Sequence, residues 1–461
     1  MSLTFSDRGT AASPRAFRRG LLLSVLVLVV TIGVAGVTTI VEGPRLRSST
    51  IDVVGATQTG GATLTLRSDR ALDPLDESAI RIEPEASFSL QQTDLDVVLT
   101  FDHPVRSGTE YRITVDNVQP RGIGASSTWT TTFQTPVKDI LFLRGPEAQT
   151  ELVRMTLPSS EPEVLYRAPG IVGFTPVGVV YAVHRVWQDE SILELVDPTM
   201  GGADRIALAP GDRIVSLASA PWGTSLIVTL DTEVDGRAER SVMAVLDAVG
   251  SRTPEIVRGI DGEPLRALKV VVSPVSGQVV ALLRDRTIVV YEPLTKLTIP
   301  LGSAVELWGF DATGNRIVFV DSLGTLALGV NTREEIRIPA GRLEGFPLLH
   351  EVTTLSSEGH SVQRVVLPSL DDGPSFVLVT QADDEGVHTR LLGSTSTPNS
   401  VGSLQLSPDG QFLAVEVSSI ASPLGYAGLT PEQRATTTSL VIVDLVNQAI
   451  VAETPGYSFV W

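Results

Sequence analysis

The chain has no cysteine in 461 residues. That excludes disulfides, a lipid-modified cysteine anchor and every thiolate metal site. Histidine is scarce: His103, His184, His350, His360 and His388 are the whole set. None shows metal-ligand spacing such as H-E-x-x-H. Lysine is scarcer still, with Lys138, Lys269 and Lys296 the only three among 35 basic residues, set against 53 acidic ones. A net charge of −18 argues against nucleic acid and against adsorption to anionic lipid. Neither a G-x-S-x-G elbow nor a P-loop is present, so neither a strained nucleophile turn nor a phosphate cradle is encoded.

One stretch lacks charge altogether. Residues 21–41 read "LLLSVLVLVVTIGVAGVTTIV". Twenty-one helical residues rise roughly 30 Å, the thickness of a hydrocarbon core. Arg8, Arg15, Arg18 and Arg19 precede the stretch and Glu42 follows it, which places the N-terminal side in the cytoplasm. The alternative is a cleaved signal peptide, whose apolar core runs about 7–15 residues before a small-residue site. This run is longer, and the following "VEGPRLR" suits cleavage poorly. The sequence therefore predicts a cytoplasmic tail over 1–20, an uncleaved transmembrane helix over 21–41, and everything later outside the membrane.

Residues 48–136 carry short strands and no sustained helical period. "ATLTLRSD" and "DVVLTFD" alternate apolar and polar residues, "SGTEYRITVDNV" enters from a polar turn, and "STWTTTFQTP" ends at a proline. About 90 residues of this kind suit a β-sandwich. The turn-strand element at Gly108, Thr109, Tyr111 and Val115, with the closing strand at Thr132, Phe133 and Thr135, resembles bacterial Ig-like domains of surface-layer and cell-wall proteins. The resemblance implies a spacer.

From 137 to 461 strands follow one another behind turns that end in glycine: "TPVG", "APWG", "SPVSG", "DATG" and "SPDG". Their glycines, Gly178, Gly223, Gly277, Gly314 and Gly410, are spaced by 45, 54, 37 and 96 residues. The last spacing is a double one, so one repeat lacks the signature. A mean near 46 is a propeller period, about four strands per blade. Each unit has a later strand followed by an acidic turn, as in "SVMAVLDAVG" and "SLVIVDLVNQ". The run from "SPDGQFLAVE" to "LVIVDLVNQAIV" resembles TolB-type and WD-like β-propeller repeats.

The terminal "GYSFVW", residues 456–461, is an apolar strand with three aromatics, an aggregation hazard if left bare. Complete units begin near 170, 211, 264, 302, 342 and 400, which makes six. Residues 138–168 supply only three strands. One strand from the end and three from the start predict a seventh blade, with "GYSFVW" paired to "DILFLRG" and Phe459 or Trp461 packed between blades.

The segment "DTEVDG", 231–236, has the alternating acids of a calcium loop but carries Val242 where the twelfth-position Glu would stand. It reads as a hairpin turn. Ser407 reads as part of its turn, and His184 as a structural strand residue. Asp197, Asp247 and Asp444 follow third strands, which is a turn position. The longest insertion, 419–438, contains "TPEQR", a short helix start with Thr430 as N-cap, Pro431 first and Glu432 in the first turn. It is the expected contact region.

The sequence thus predicts an all-β protein with one N-terminal transmembrane helix. An Ig-like β-sandwich (48–136) precedes a seven-bladed β-propeller (137–461). No catalytic, metal or cofactor residue is assigned and no cofactor is expected. The expected partners are the membrane, through residues 21–41, and an envelope protein, with no nucleic acid. The function expected is extracytoplasmic binding or scaffolding in a bacterial envelope. The rival is a propeller hydrolase or lyase acting on envelope glycan, which a cluster of carboxylates with raised pKa at the central mouth would favour.

Overall fold

The computed structural model describes Leu26 and residues 43–461, apart from 59, 158–160, 221–222, 340–348, 356–360, 368–375, 383–387, 394–398 and 421–425. The predicted tail, the transmembrane helix over 21–41 (Leu26 apart) and His360 lie outside the described residues. Among the described residues no helix is long and apolar enough to cross a membrane. The chain divides into two compact units, one built mainly from Thr63–Asp102 and Glu110–Phe133, the other mainly from Gln134–Trp461. The short segments Val53–Ala62 and His103–Thr109 group with the second unit.

The first unit is a two-sheet β-sandwich. One sheet runs Leu46–Ile51, Thr63–Ser68, Asp96–Phe101, Phe88–Gln92, and the other Ile80–Glu83, Glu110–Val118, Ser127–Gln134. Period-two alternation supplies the core: Leu64 and Leu66, Val97 and Leu99, Tyr111 and Ile113 are all buried. Phe133 joins the sheets, edge-on to Phe101 at 6.2 Å and stacked on Tyr111 at 5.2 Å between ring centroids.

The second unit is a β-propeller, an arrangement of seven four-stranded antiparallel sheets. Six sheets are consecutive meanders over 171–206, 213–256, 267–303, 306–338, 349–392 and 400–455. The seventh takes three strands from the start of the unit and Tyr457–Val460 from its end. Tyr457 pairs with Leu143 and Val460 with Leu141, so the predicted closure is present. The first strands of successive sheets contact one another from Ile171–Val177 through Ser400–Leu406 and line the axis.

Burial follows position in the blade. Central strands such as Phe412–Ser418 and Thr438–Asp444 are buried on both faces by neighbouring blades, whereas outer strands such as Gly202–Ile206 are largely exposed. Phe459 shows how the blades join. It packs in one cluster with Ile140 and Phe142 of its own sheet and Phe412, Leu440 and Ile442 of the preceding one.

The glycine turns join first and second strands as expected. Gly178, Gly277, Gly314 and Gly410 all have φ between 61° and 71°. At Gly314 a second constraint applies, because a Cβ would lie 2.9 Å from Val275 and 3.1 Å from Pro274 in the turn of the neighbouring blade. Gly223 follows residues 221 and 222, which lie outside the described residues.

Candidate functional site

The residues weighed in the sequence sit as structural parts. Asp197 Oδ1 accepts from Thr199 N at 2.8 Å, Asp247 Oδ1 from Val249 N at 3.1 Å, and Asp444 Oδ1 from Val446 N at 2.9 Å. Each caps the turn after a third strand. Ser407 Oγ accepts from Phe412 N at 2.9 Å and donates to Asp409, which fixes the Pro-Asp-Gly turn. In "DTEVDG", Val234 pairs with Arg237 across Asp235 (φ 53°) and Gly236 (φ 79°). That is a two-residue hairpin, not a cation loop. Among the described residues no three His, Asp or Glu side chains could hold a metal ion. His103 is exposed, and His388 is buried with Nδ1 2.8 Å from Thr380 Oγ1.

His184 is buried at 6% exposure, with Nε2 2.9 Å from Ser191 Oγ. Loss of solvation pushes its imidazolium down from 6.5 to about 4. The unfolded chain therefore binds this proton below about pH 6.5, and the folded chain only near 4. Stability from this site is complete above 6.5 and is lost as pH falls through the window, by about 3 kcal/mol at most. Glu416 and Asp311 act with the opposite sign, since burial raises both carboxyls. His184→Gln should flatten the acid limb of a stability-pH profile between pH 4 and 6.5. An unchanged slope would remove His184 as its source.

The site itself lies on the propeller axis. A cavity of about 440 Å³ is lined by Lys269, Glu306, Trp308, Glu416, Tyr426 and Arg434, among others. Lys269, Glu306 and Trp308 stand on first strands of the third and fourth sheets. Ser403 and Ser458 reach the cavity from the sixth and seventh. Tyr426 and Arg434 belong to the insertion at 419–438. There the helix Pro431–Thr437 forms as predicted, with Thr430 as N-cap and a reciprocal bond to Gln433. The insertion thus places two side chains in the cavity wall.

Glu416 is the central polar group. It is 3% exposed and sits on a strand buried on both faces. Its Oε2 accepts from Ser403 N at 3.1 Å and its Oε1 from Ser458 N. The carboxylate therefore ties the sixth sheet to the closing strand. Burial raises its pKa, against the lowering pull of these amides, the Tyr426 hydroxyl and the Arg434 guanidinium. Gly402 makes room for the group, since a Cβ there would collide with Glu416 and lie 2.8 Å from the Tyr426 ring.

Each cation of the cavity donates to a backbone carbonyl. Lys269 donates to the Trp308 carbonyl at 3.0 Å. Lys269 is exposed, yet the surrounding protein walls hold its ammonium below the usual lysine range, partly offset by Glu306. Arg434 lies over the Tyr426 ring at 5.4 Å and donates to the Ala427 carbonyl at 3.4 Å. Its Nε has no hydrogen-bond partner among the described residues. Arg364 donates to the Val401 and Gly402 carbonyls at 2.8 and 3.2 Å.

No local pattern in the sequence marks this cluster. The insertion supplied the region but not Glu416, Lys269 or Glu306. The one available signal was a glutamate inside the otherwise apolar "FLAVEV".

No protein-family model matches the chain, and no curated protein matches it. Solved structures with a similar course include the dihydro-haem d1 dehydrogenase NirN in complex with DHE, at 13% identity and TM-score 0.41, covering 70% of this chain and 74% of that one. The Swd1 β-propeller domain of Myceliophteria thermophila shows 12% identity and TM-score 0.40, covering 64% and 89%. An oligogalacturonate lyase in complex with manganese shows 11% identity and TM-score 0.42, covering 69% and 84%.

Proposed function

We propose that this chain is a membrane-anchored, extracytoplasmic binding protein of a bacterial cell envelope. Residues 21–41 serve as an uncleaved anchor. The sandwich is an Ig-like spacer that contributes reach, and the propeller binds at its axial cavity. The observation that supports binding best is the insertion at 419–438, whose capped helix carries Arg434 and whose preceding turn carries Tyr426, both in the cavity wall. Loops carried on a rigid ring suit recognition.

A second reading, a hydrolase or lyase acting on envelope glycan, draws on Glu416, a buried carboxyl with a raised pKa in a cavity. Both its oxygens already accept backbone N–H groups, which favours a structural tie over proton transfer.

Spheroplasts carrying the full-length protein, treated with an impermeant crosslinker, test both. The expected result is full-length protein in the membrane pellet, joined to an envelope component, with the crosslink lost in a Tyr426→Ala, Arg434→Ala variant. A soluble form starting near residue 42 would remove the anchor. Shortened glycan in the medium, dependent on Glu416, would favour the enzyme.

A further inference from the structure

We infer that the axial cavity takes a small organic acid, with its carboxylate between Lys269 and Arg434 and a ring or apolar face against the aromatic wall. This rests on the binding reading above and names the ligand's chemistry.

The argument starts from how this acidic chain treats its cations. Several partly buried arginines of the propeller are taken up by carboxylates. Arg144 bonds Glu151 at 2.6 Å, Arg185 bonds Glu194 at 2.8 Å, and Arg266 bonds Glu239 at 2.6 Å. The buried Arg185–Glu194–Tyr166 group is closed on itself, with the Tyr166 hydroxyl donating to Glu194 at 2.8 Å. A chain with 53 acids and 35 bases has carboxylates to spare for such cations.

Lys269 and Arg434 share one cavity, and neither makes an ion pair within 4.0 Å among the described residues. Lys269 donates to a backbone carbonyl, and the Glu306 charge reaches it from the same wall. Arg434 rests on an aromatic face and one long carbonyl contact, with the Glu416 charge nearby, and its Nε is unsatisfied among the described residues. A desolvated cation gains most from an anion that brings its own hydrogen-bond acceptors. Glu306 and Glu416 on the same wall disfavour a multiply charged ligand, so one carboxylate matches the balance better than a phosphate dianion. Trp308, Tyr426 and Tyr457 supply flat apolar faces. A volume near 440 Å³ suits a small molecule rather than a folded partner.

The test is ligand-observed NMR on the full-length protein in detergent, with a library of matched pairs, each a small carboxylic acid and its primary amide. Phenylacetate with phenylacetamide and glucuronate with glucuronamide head the set. Acids are expected to bind and their amides to bind about tenfold more weakly or not at all. Lys269→Met and Arg434→Gln should each weaken the acids by about tenfold without affecting any amide hit. Should a variant melt below wild type, rising salt on the wild-type protein gives the same reading, because only acid hits should weaken. Amides that bind as well as acids, or acid hits indifferent to both substitutions and to salt, overturn this inference and leave the binding cavity standing. A library with no hit in either series overturns both.

Discussion

A chain lacking residues 456–461 should melt far below the full-length protein, or aggregate before it melts. Tyr457–Val460 is the first strand of the seventh sheet and pairs only with Lys138–Arg144. Removing it leaves that neighbour with a bare row of backbone N–H and C=O groups. It also empties a well-filled seam. Phe459 is 9% exposed and contacts residues of two sheets. Trp461 stacks on Phe412 at 6.4 Å and donates Nε1 to the Gln405 carbonyl at 3.1 Å. A single buried phenylalanine truncated to alanine costs about 3–5 kcal/mol. Net domain stability is about 5–15 kcal/mol, so Phe459→Ala alone removes a large share. The deletion adds the strand edge and the lost Trp461 contacts. Thermal midpoints should therefore fall in the order full chain, Phe459→Ala, deletion. A deletion that melts with the wild type would show that the ring closes by other contacts.

The parts of the fold that were legible are those a local rule dictates. Pro-Asp-Gly at 408–410 has one good conformation, and Gly410 adopts it with φ 69°. Strand counting was enough to pair "GYSFVW" with a segment more than 300 residues earlier, because a propeller has no other way to satisfy a lone first strand. The N-cap at Thr430 followed from its own side chain and the proline beside it. The cavity was not legible for a physical reason. Its residues come from first strands of four sheets, from the second strand that carries Glu416 and from the insertion, and nothing local tells Lys269 that it will share a wall with Ser403 and Ser458. Glu416 was the nearest to visible. A central blade strand is buried on both faces, so a charge within "FLAVEV" needs partners, whereas on a one-sided strand it would have read as a solvent position. The repeat that lacks the sequence signature, beginning near 342, was placed only by the doubled spacing, and its strand Leu349–Leu355 sits where that count requires.

Glu416→Ala should be the most damaging single substitution in the cavity wall. The side chain satisfies two part-buried backbone donors, Ser403 N and Ser458 N, which belong to different sheets. Ser458 has φ 53° and sits where the pairing of the closing strand shifts register. That bend is unfavourable for a residue with a Cβ and persists only while something holds it. Alanine leaves both donors without an acceptor, at about 1–3 kcal/mol each. Against this stands the relief of no longer burying a carboxylate, which its raised pKa shows to be a real cost. Two orphaned donors and a released strand outweigh that relief, so the sign is destabilising. Glu416→Gln separates the terms. It removes the charge and keeps one acceptor, but turns an amide N–H₂ toward the other backbone donor, so it should fall between wild type and alanine near neutral pH. At lower pH the wild type gains from protonating Glu416 in the folded state, and neither variant has that gain. The gap between wild type and Glu416→Gln should therefore widen as pH falls through the carboxylate range. A gap that closes on acidification would mean that the ionised form is what holds the clasp, and would reverse the role assigned to burial at this residue.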